Sequence, residues 1–218
     1  MNHPIVLAIT GASGVVYGVR LLEVLLDAGE EVHLTISDSG RLVIKHELGI
    51  DLDLKHFRLE QFFPEGRSAS GLTSSEFSDV SSKTVGSSSP RLIYHQYKDF
   101  MTPIASGSFR TRAMIVCPCS GSTLSGIANA ASQNLIQRAA DVHLKERRPL
   151  ILVTRETPLS LIQIDNLRTA CAAGATILPA SPGFYHGSET VQQLVDFVVA
   201  RILDQVGVEH DLMKRWGS

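Results

Sequence analysis

An apolar run, Leu150-Ile151-Leu152-Val153, ends on Thr154 and then on Arg155-Glu156, in the stretch "HLKERRPLILVTRETP" (143–158). A fixed cation beside a carboxylate at the end of a buried strand can stabilise an anion and move a proton. The same pair can also be the solvated end of an ordinary strand, a surface ion pair worth about 0–1 kcal/mol. "TGASG" (10–14) offers a second chemistry. Glycines let backbone approach a ligand, and free amides at a helix start favour anions, so Gly11, Ala12 and Ser13 could cradle a phosphate. A tight strand-to-helix turn would need the same glycines. A dinucleotide fingerprint requires glycines where Ser13 and Val16 stand, and the P-loop lysine is missing.

Other stretches carry less. "YHQYK" (94–98) has the Tyr-x-x-x-Lys spacing of short-chain dehydrogenases, but it follows a Ser-rich stretch and lacks the matching glycines. "CPCS" (117–120) has no second Cys/His pair at ligand spacing, so Cys117 reads as a small buried hydrophobe and not as a zinc ligand. Of the eight histidines most are expected at the surface, and only His186 lies near the other candidates. Ser13 with His186 and an acid is not a hydrolase triad, because the G-x-S-x-G elbow is absent.

The elements that must position these residues alternate. Short apolar runs at 5–10, 31–37, 113–118, 149–154 and 175–180 read as five strands. Helical spacing covers 15–29, 39–49, 122–147 (two helices or one bent one), 159–174 and 188–207. This alternation predicts an open, mostly parallel sheet with helices on both faces. Ligands of such sheets bind beyond the carboxyl ends of the strands. The rim there consists of 11–14, Ser37-Asp38, Pro118-Cys119-Ser120, Arg155-Glu156 and 181–186. Residues 63–92, rich in Ser and Gly, are expected to be a loop inserted in a single domain spanning 1–218.

Composition narrows the class. At 218 residues and 44% hydrophobic content the chain can bury one substantial core. A net charge of −2 with no Lys/Arg stripe argues against nucleic acid as a partner. No run approaches the ~20 apolar residues that span a bilayer, and the start has no basic-then-apolar leader pattern, so neither membrane nor secretion is expected. Three cysteines without a framework spacing suit a reducing cytoplasm.

Six stretches carry a resemblance: "ITGASGVVYGVRLLEVL" near the start, "ASGSF" (105–109), "CPCSGSTLSGIA" (117–128), "NLIQRAADVHLKERRPLILVTRETPLS" (134–160), "LPASPGFYH" (178–186) and the terminal "RW" (215–216). Together, in this order, the chain resembles the flavin prenyltransferase (UbiX-like) family over most of its length, with 138–158 the most specific part and 63–92 outside the match. The resemblance implies a flavodoxin-like (Rossmannoid), doubly wound α/β fold. It also implies metal-free transfer of a dimethylallyl group from dimethylallyl monophosphate to reduced FMN. The product, prenylated FMN, would serve UbiD-like decarboxylases, including those of ubiquinone synthesis. A homo-oligomer, a dodecamer with active sites between subunits, is implied as well.

Residue by residue, the resemblance implies that Gly11, Ala12, Ser13, Ser37, Ser106, Gly107, Ser108 and Arg138 hold FMN, with Ser13 near the flavin N5. Lys145, Arg155, Tyr185 and Arg201 would surround the donor phosphate, Glu47 and Glu156 would be acids at the reacting centre, and Trp216 an aromatic near the C-terminus. Two rivals share the fold. An FMN-dependent cysteine decarboxylase should carry an early catalytic His and a P-x-M-N stretch, and neither is present. A non-catalytic flavin-binding subunit should have lost Glu156 or the cations, and this chain keeps them.

Overall fold

A computed structural model describes residues 3–63, 91–184 and 187–213. It contains one six-stranded sheet of order β3-β2-β1-β4-β5-β6. The strands are β1 (Ile5–Ile9), β2 (Glu31–Ile36), β3 (Arg91–Gln96), β4 (Ala113–Cys119), β5 (Leu150–Thr154) and β6 (Thr176–Pro179). All five pairings are parallel. Dropping the edge strand β3 leaves the flavodoxin-like order 2-1-3-4-5, whose topological switch lies between β1 and β4. β3 is an addition to the expected strands, and it moves Arg91 and Leu92 out of the expected 63–92 loop. The rest of that stretch, 64–90, lies outside the described residues.

β1, "IVLAI", is buried along its whole length because helices cover both faces. Alternate residues feed two cores. Ile5, Leu7 and Ile9 pack with α1 (Val15–Asp27), α2 (Asp38–Leu48) and α6 (Val191–Val206). Val6 and Ala8 pack on the other face with α3 (Gly121–Ala128), α4 (Leu135–Lys145) and Ala170 of α5 (Leu161–Ala172). The helical material at 122–147 is therefore two helices. α1 buries Val15, Val19, Leu22 and Leu26 as one stripe. Gly18 lets that helix lie directly on β4, since a Cβ there would run into the Cys117 carbonyl.

Sequence-local caps start the later helices. The side chains of Ser160 and Thr190 accept from the amides of Gln163 and Gln193 at 3.3 and 3.2 Å, and those glutamines reach back in capping boxes. α5 buries only Ala170, leaving Leu161 and Ile162 at 73% and 74% exposure. Among the described residues no helix is long and apolar enough to cross a membrane.

The expectation that most histidines lie at the surface is corrected. Of the seven described, His3, His46 and His56 are exposed, whereas His33, His95 and His143 are buried and His210 is half-buried. Glu31 can only accept, so His33 donates from Nε2 (3.2 Å) and its Nδ1 accepts from His95 Nε2 (2.8 Å). Burial lowers the pKa of His95 and of His143 to about 4. In the unfolded chain both would titrate near 6.5, so that state binds more protons between the two values. Stability is then fully present above pH ~6.5 and is lost as pH falls toward 4, by up to ~1.4 kcal/mol per unit for each histidine. Urea midpoints measured from pH 7.5 to 4.5 are expected to fall over this window, and His143→Gln should flatten the slope. A flat profile in the wild type would refute the assignment.

Candidate functional site

The switch point is tied by Thr10, a polar residue ending an apolar strand. Its hydroxyl donates to the Pro118 carbonyl (2.8 Å) and accepts from the Ser120 amide (2.8 Å), joining the carboxyl ends of β1 and β4. Sequence reasoning passed over this residue; the polar stop on a buried run was the available signal. Beyond it, Gly11 lies against Ser39, so that any side chain at 11 would collide with it. Ala12 is buried and Ser13 exposed. Ser37 caps α2 by accepting from the Gly40 amide at 3.0 Å, which leaves its O–H free to donate outward.

Two amides at the start of α1, those of Gly14 and Val15, already have a partner within the chain. Gly14 stands in the left-handed region (φ 95°) and gives no side-chain cap. Instead the Glu47 carboxylate, from the last turn of α2, accepts from Gly14 N at 2.9 Å and from Val15 N at 3.2 Å. A carboxylate is well placed at the positive end of a helix dipole, so an external anion would have to compete with Glu47 for these donors. The loop thus fixes an acid next to Ser13.

Arg155 crosses from the end of β5 to the same loop, where its Nε donates to the Ser13 carbonyl at 3.3 Å. Among the described residues no acceptor is seen for its terminal nitrogens. Glu156 follows at the mouth of a cavity of about 140 Å³ lined by Cys119, Gly121, Leu124, Gln163, Pro179 and Ser181, among others. Pro179 and Ser181 also line a neighbouring cavity of about 310 Å³ between β6 and α6, which Arg201 borders. Arg201 donates to Asp204 at 2.8 Å.

Ser106, Gly107, Ser108, Arg138 and Lys145 form a second group. The hydroxyls of Ser106 and Ser108 are 2.9 Å apart. Arg138 Nε donates to the Ala105 carbonyl (3.1 Å) and its NH1 to Asp141 (3.0 Å). Lys145 donates to Glu146 at 2.7 Å, and that contact holds the Glu146 carboxyl below its ordinary pKa. A Cβ on Gly107 would collide with Glu146, so the serine loop and the end of α4 are in direct contact. Lys145 precedes β5 and Arg155 follows it; five strand residues at about 3.3 Å each separate them by roughly 17 Å or more. The single chain therefore brings together Ser13, Ser37, Glu47, Arg155 and Glu156, with Arg201 one cavity away. Lys145, and the serine loop that packs against the end of α4, are not part of that group, while Arg138 sits one turn into α4, whose first amide donates to the Tyr97 carbonyl. Tyr185, His186 and Trp216 lie outside the described residues.

The remaining candidates carry structure. Burial raises the Cys117 thiol strongly and pushes Cys119 up to about 12, so neither is a thiolate near neutrality. Tyr94 sits on β3 with its hydroxyl buried, and Lys98 pairs with Asp38 at 3.0 Å alongside Tyr97 at 2.8 Å. Among the described residues no cluster of three or more His, Cys, Asp or Glu side chains could hold a metal.

The family model for flavoproteins matches residues 1–203. The flavin prenyltransferase UbiX of Pseudomonas aeruginosa is 45% identical over 214 residues, covering 98% of this chain and 94% of its own. That of Halalkalibacterium halodurans is 44% identical, covering 96% and 91%. Among solved structures, AnUbiX (PadA1) in complex with FMN and dimethylallyl pyrophosphate is 33% identical with a TM-score of 0.78, covering 100% of this chain and 99% of its own. A dodecameric FMN-dependent UbiX-like decarboxylase from Escherichia coli O157:H7 is 35% identical with a TM-score of 0.77, covering 99% and 100%. The FMN-dependent cysteine decarboxylase TvaF, at 15% identity and a TM-score of 0.53, shares the fold alone. With a site of hydroxyls, glycines and an Arg-Glu pair at the flavodoxin-like switch point, this chain belongs to the flavin prenyltransferase (UbiX-like) family of flavoproteins.

Proposed function

We propose that this chain is a flavin prenyltransferase that joins a dimethylallyl group from dimethylallyl monophosphate to reduced FMN, forming prenylated FMN for a UbiD-like decarboxylase. The observation that carries the reading is the reach of Arg155 across to Ser13, which sets a cation and the Glu156 carboxylate over a small apolar cavity at the flavin rim. Reduced FMN supplies a nucleophilic N5 and the ring carbon C6. The cavity floor takes the allyl chain, and Arg155 faces the phosphate as its bond to the allylic carbon breaks, with Arg201 reaching from the next cavity. Fixed cations stabilise charge developing on a leaving group without solvent reorganisation, and no metal is required. Ser13 and Glu47, held together by the first loop, stand where a proton at N5 is handled. Closing the second bond, from the terminal alkene carbon to C6, needs one proton added to the neighbouring alkene carbon and one removed from C6. The released phosphate, carrying the proton shed by N5, would supply the first, and Glu156 would accept the second.

The split between the two groups supports a site completed by a neighbouring copy. Ser106–Ser108, Arg138 and Lys145 of one subunit would meet the Ser13–Arg155 end of another, in a homo-oligomer of the dodecameric kind. The exposed apolar residues of α5, Leu161 and Ile162, are the type of surface such contacts cover. Work in a reducing cytoplasm fits the three free cysteines.

The test is to mix the purified protein with reduced FMN and each dimethylallyl donor, mono- or diphosphate, without metal, and to weigh the extracted flavin. A gain of about 68 Da, one dimethylallyl unit after phosphate loss, is expected, because expelling phosphate is the task of the cations. Bound but unmodified FMN would refute the transferase reading, and absence of flavin binding would refute the reading of the first loop.

A further inference from the structure

We propose that Arg148 is a positioning residue for flavin binding, holding the 106–108 loop in shape; this rests on the reading that Ser106–Ser108 bind FMN. The half-buried guanidinium donates to the carbonyls of Gly107 (NH2, 2.6 Å) and Phe109 (NH1, 2.7 Å), which flank Ser108. NH1 also lies 3.4 Å from the Thr111 hydroxyl. Those are consecutive anchor points of the segment that leads into β4.

The network behind these contacts has a fixed direction. The Ala139 carbonyl can only accept, so His143 donates from Nδ1 at 2.7 Å and its Nε2 must be an acceptor. The Thr111 hydroxyl therefore gives its proton to His143 (2.8 Å) and turns a lone pair toward Arg148. Thr111 and His143 are 6% and 1% exposed, so this chain of bonds is sheltered from water.

The root of Arg148 is fixed as well. α4 ends with the Arg148 amide donating to the His143 carbonyl (2.8 Å) and the Arg147 amide to that of Leu144 (3.1 Å), the pairing of a Schellman turn. Arg147 occupies the left-handed position (φ 55°) that glycine usually fills, and this turn sends Arg148 back along the serine loop. On the loop's other side, Gly107 lies against Glu146 and Lys145. The loop is thus held from α4 at two points. A lysine at 148 keeps the charge and has donors enough, but its single Nζ lacks the rigid, spaced fork that lets NH1 and NH2 each meet one carbonyl.

Arg148→Lys is expected to raise KM for FMN at least ~10-fold, the scale of one lost charge-assisted hydrogen bond, while kcat at saturating FMN changes far less. Amide exchange at 107–109 should quicken without change in β4 or β5. Thr111→Val, which keeps the shape and removes the hydroxyl, should raise KM for FMN by a smaller factor and serves where Arg148→Lys folds poorly. The proposal is overturned if Ser106→Ala and Ser108→Ala raise KM for FMN while neither Arg148→Lys nor Thr111→Val does. If the serine variants leave KM for FMN unchanged, the reading of the loop itself fails and the proposal falls with it.

Discussion

Glu156→Gln is expected to bind FMN within about threefold of the wild type and to form prenylated flavin ~10²–10⁴ times more slowly, the usual contribution of a positioned acid or base. Glutamine keeps the size and the hydrogen-bonding face of the side chain but cannot take up a proton. Glu156 is an exposed carboxylate that accepts from the neighbouring Thr157 amide at 3.3 Å, so little of the local structure depends on its charge. It stands at the mouth of the cavity beside Gly121 and Gln163. A loss of rate can therefore be assigned to proton transfer and not to collapse of the site. The measurement is a single turnover with excess enzyme, quenched in time and weighed by mass spectrometry. Unchanged turnover would remove Glu156 from the reaction and leave the departing phosphate as the base.

Arg155→Met should lower kcat by ~10²–10³, the scale of removing one preorganised donor from a developing negative charge. Nε is committed to the Ser13 carbonyl, which fixes the guanidinium beside the first loop, and Arg155 is among the residues that line the cavity. Arg155→Lys keeps the charge but loses the planar fork, and is expected to fall between Met and wild type. KM for the prenyl donor should rise in both variants. A Met variant with kcat within about threefold of the wild type would show that charge at this position does not assist departure of phosphate.

The sheet was largely legible because its central strands are continuous apolar runs that need no partner to be recognised. β3 was not. "RLIYHQ" is polar at half its positions and follows a Ser-rich stretch, and only its place beside β2 at the sheet edge makes it a strand. The histidines were misjudged for a related reason: His33 and His95 lie on neighbouring strands and satisfy each other, which no single segment reveals. Residue types at the candidate site were visible as motifs, but their grouping was not. Lys145 and Arg155 are ten positions apart in one motif, yet a strand between them sends them to opposite ends of the sheet. The bonds from Glu47 to the α1 amides span more than thirty positions and depend on how α2 returns past the first loop.

That separation across β5 has a consequence for inheritance. If one chain's Ser13–Arg155 end is completed by another's Lys145 end, every subunit contributes to two centres. A lesion at either end then harms a centre that the damaged chain owns only in part, and the chain's undamaged end stays useful to a neighbour. Two defective copies with faults at opposite ends could rebuild whole centres between them, whereas two with faults at the same end could not. Allelic complementation, in a protein of this size, would be written into the length of a single strand.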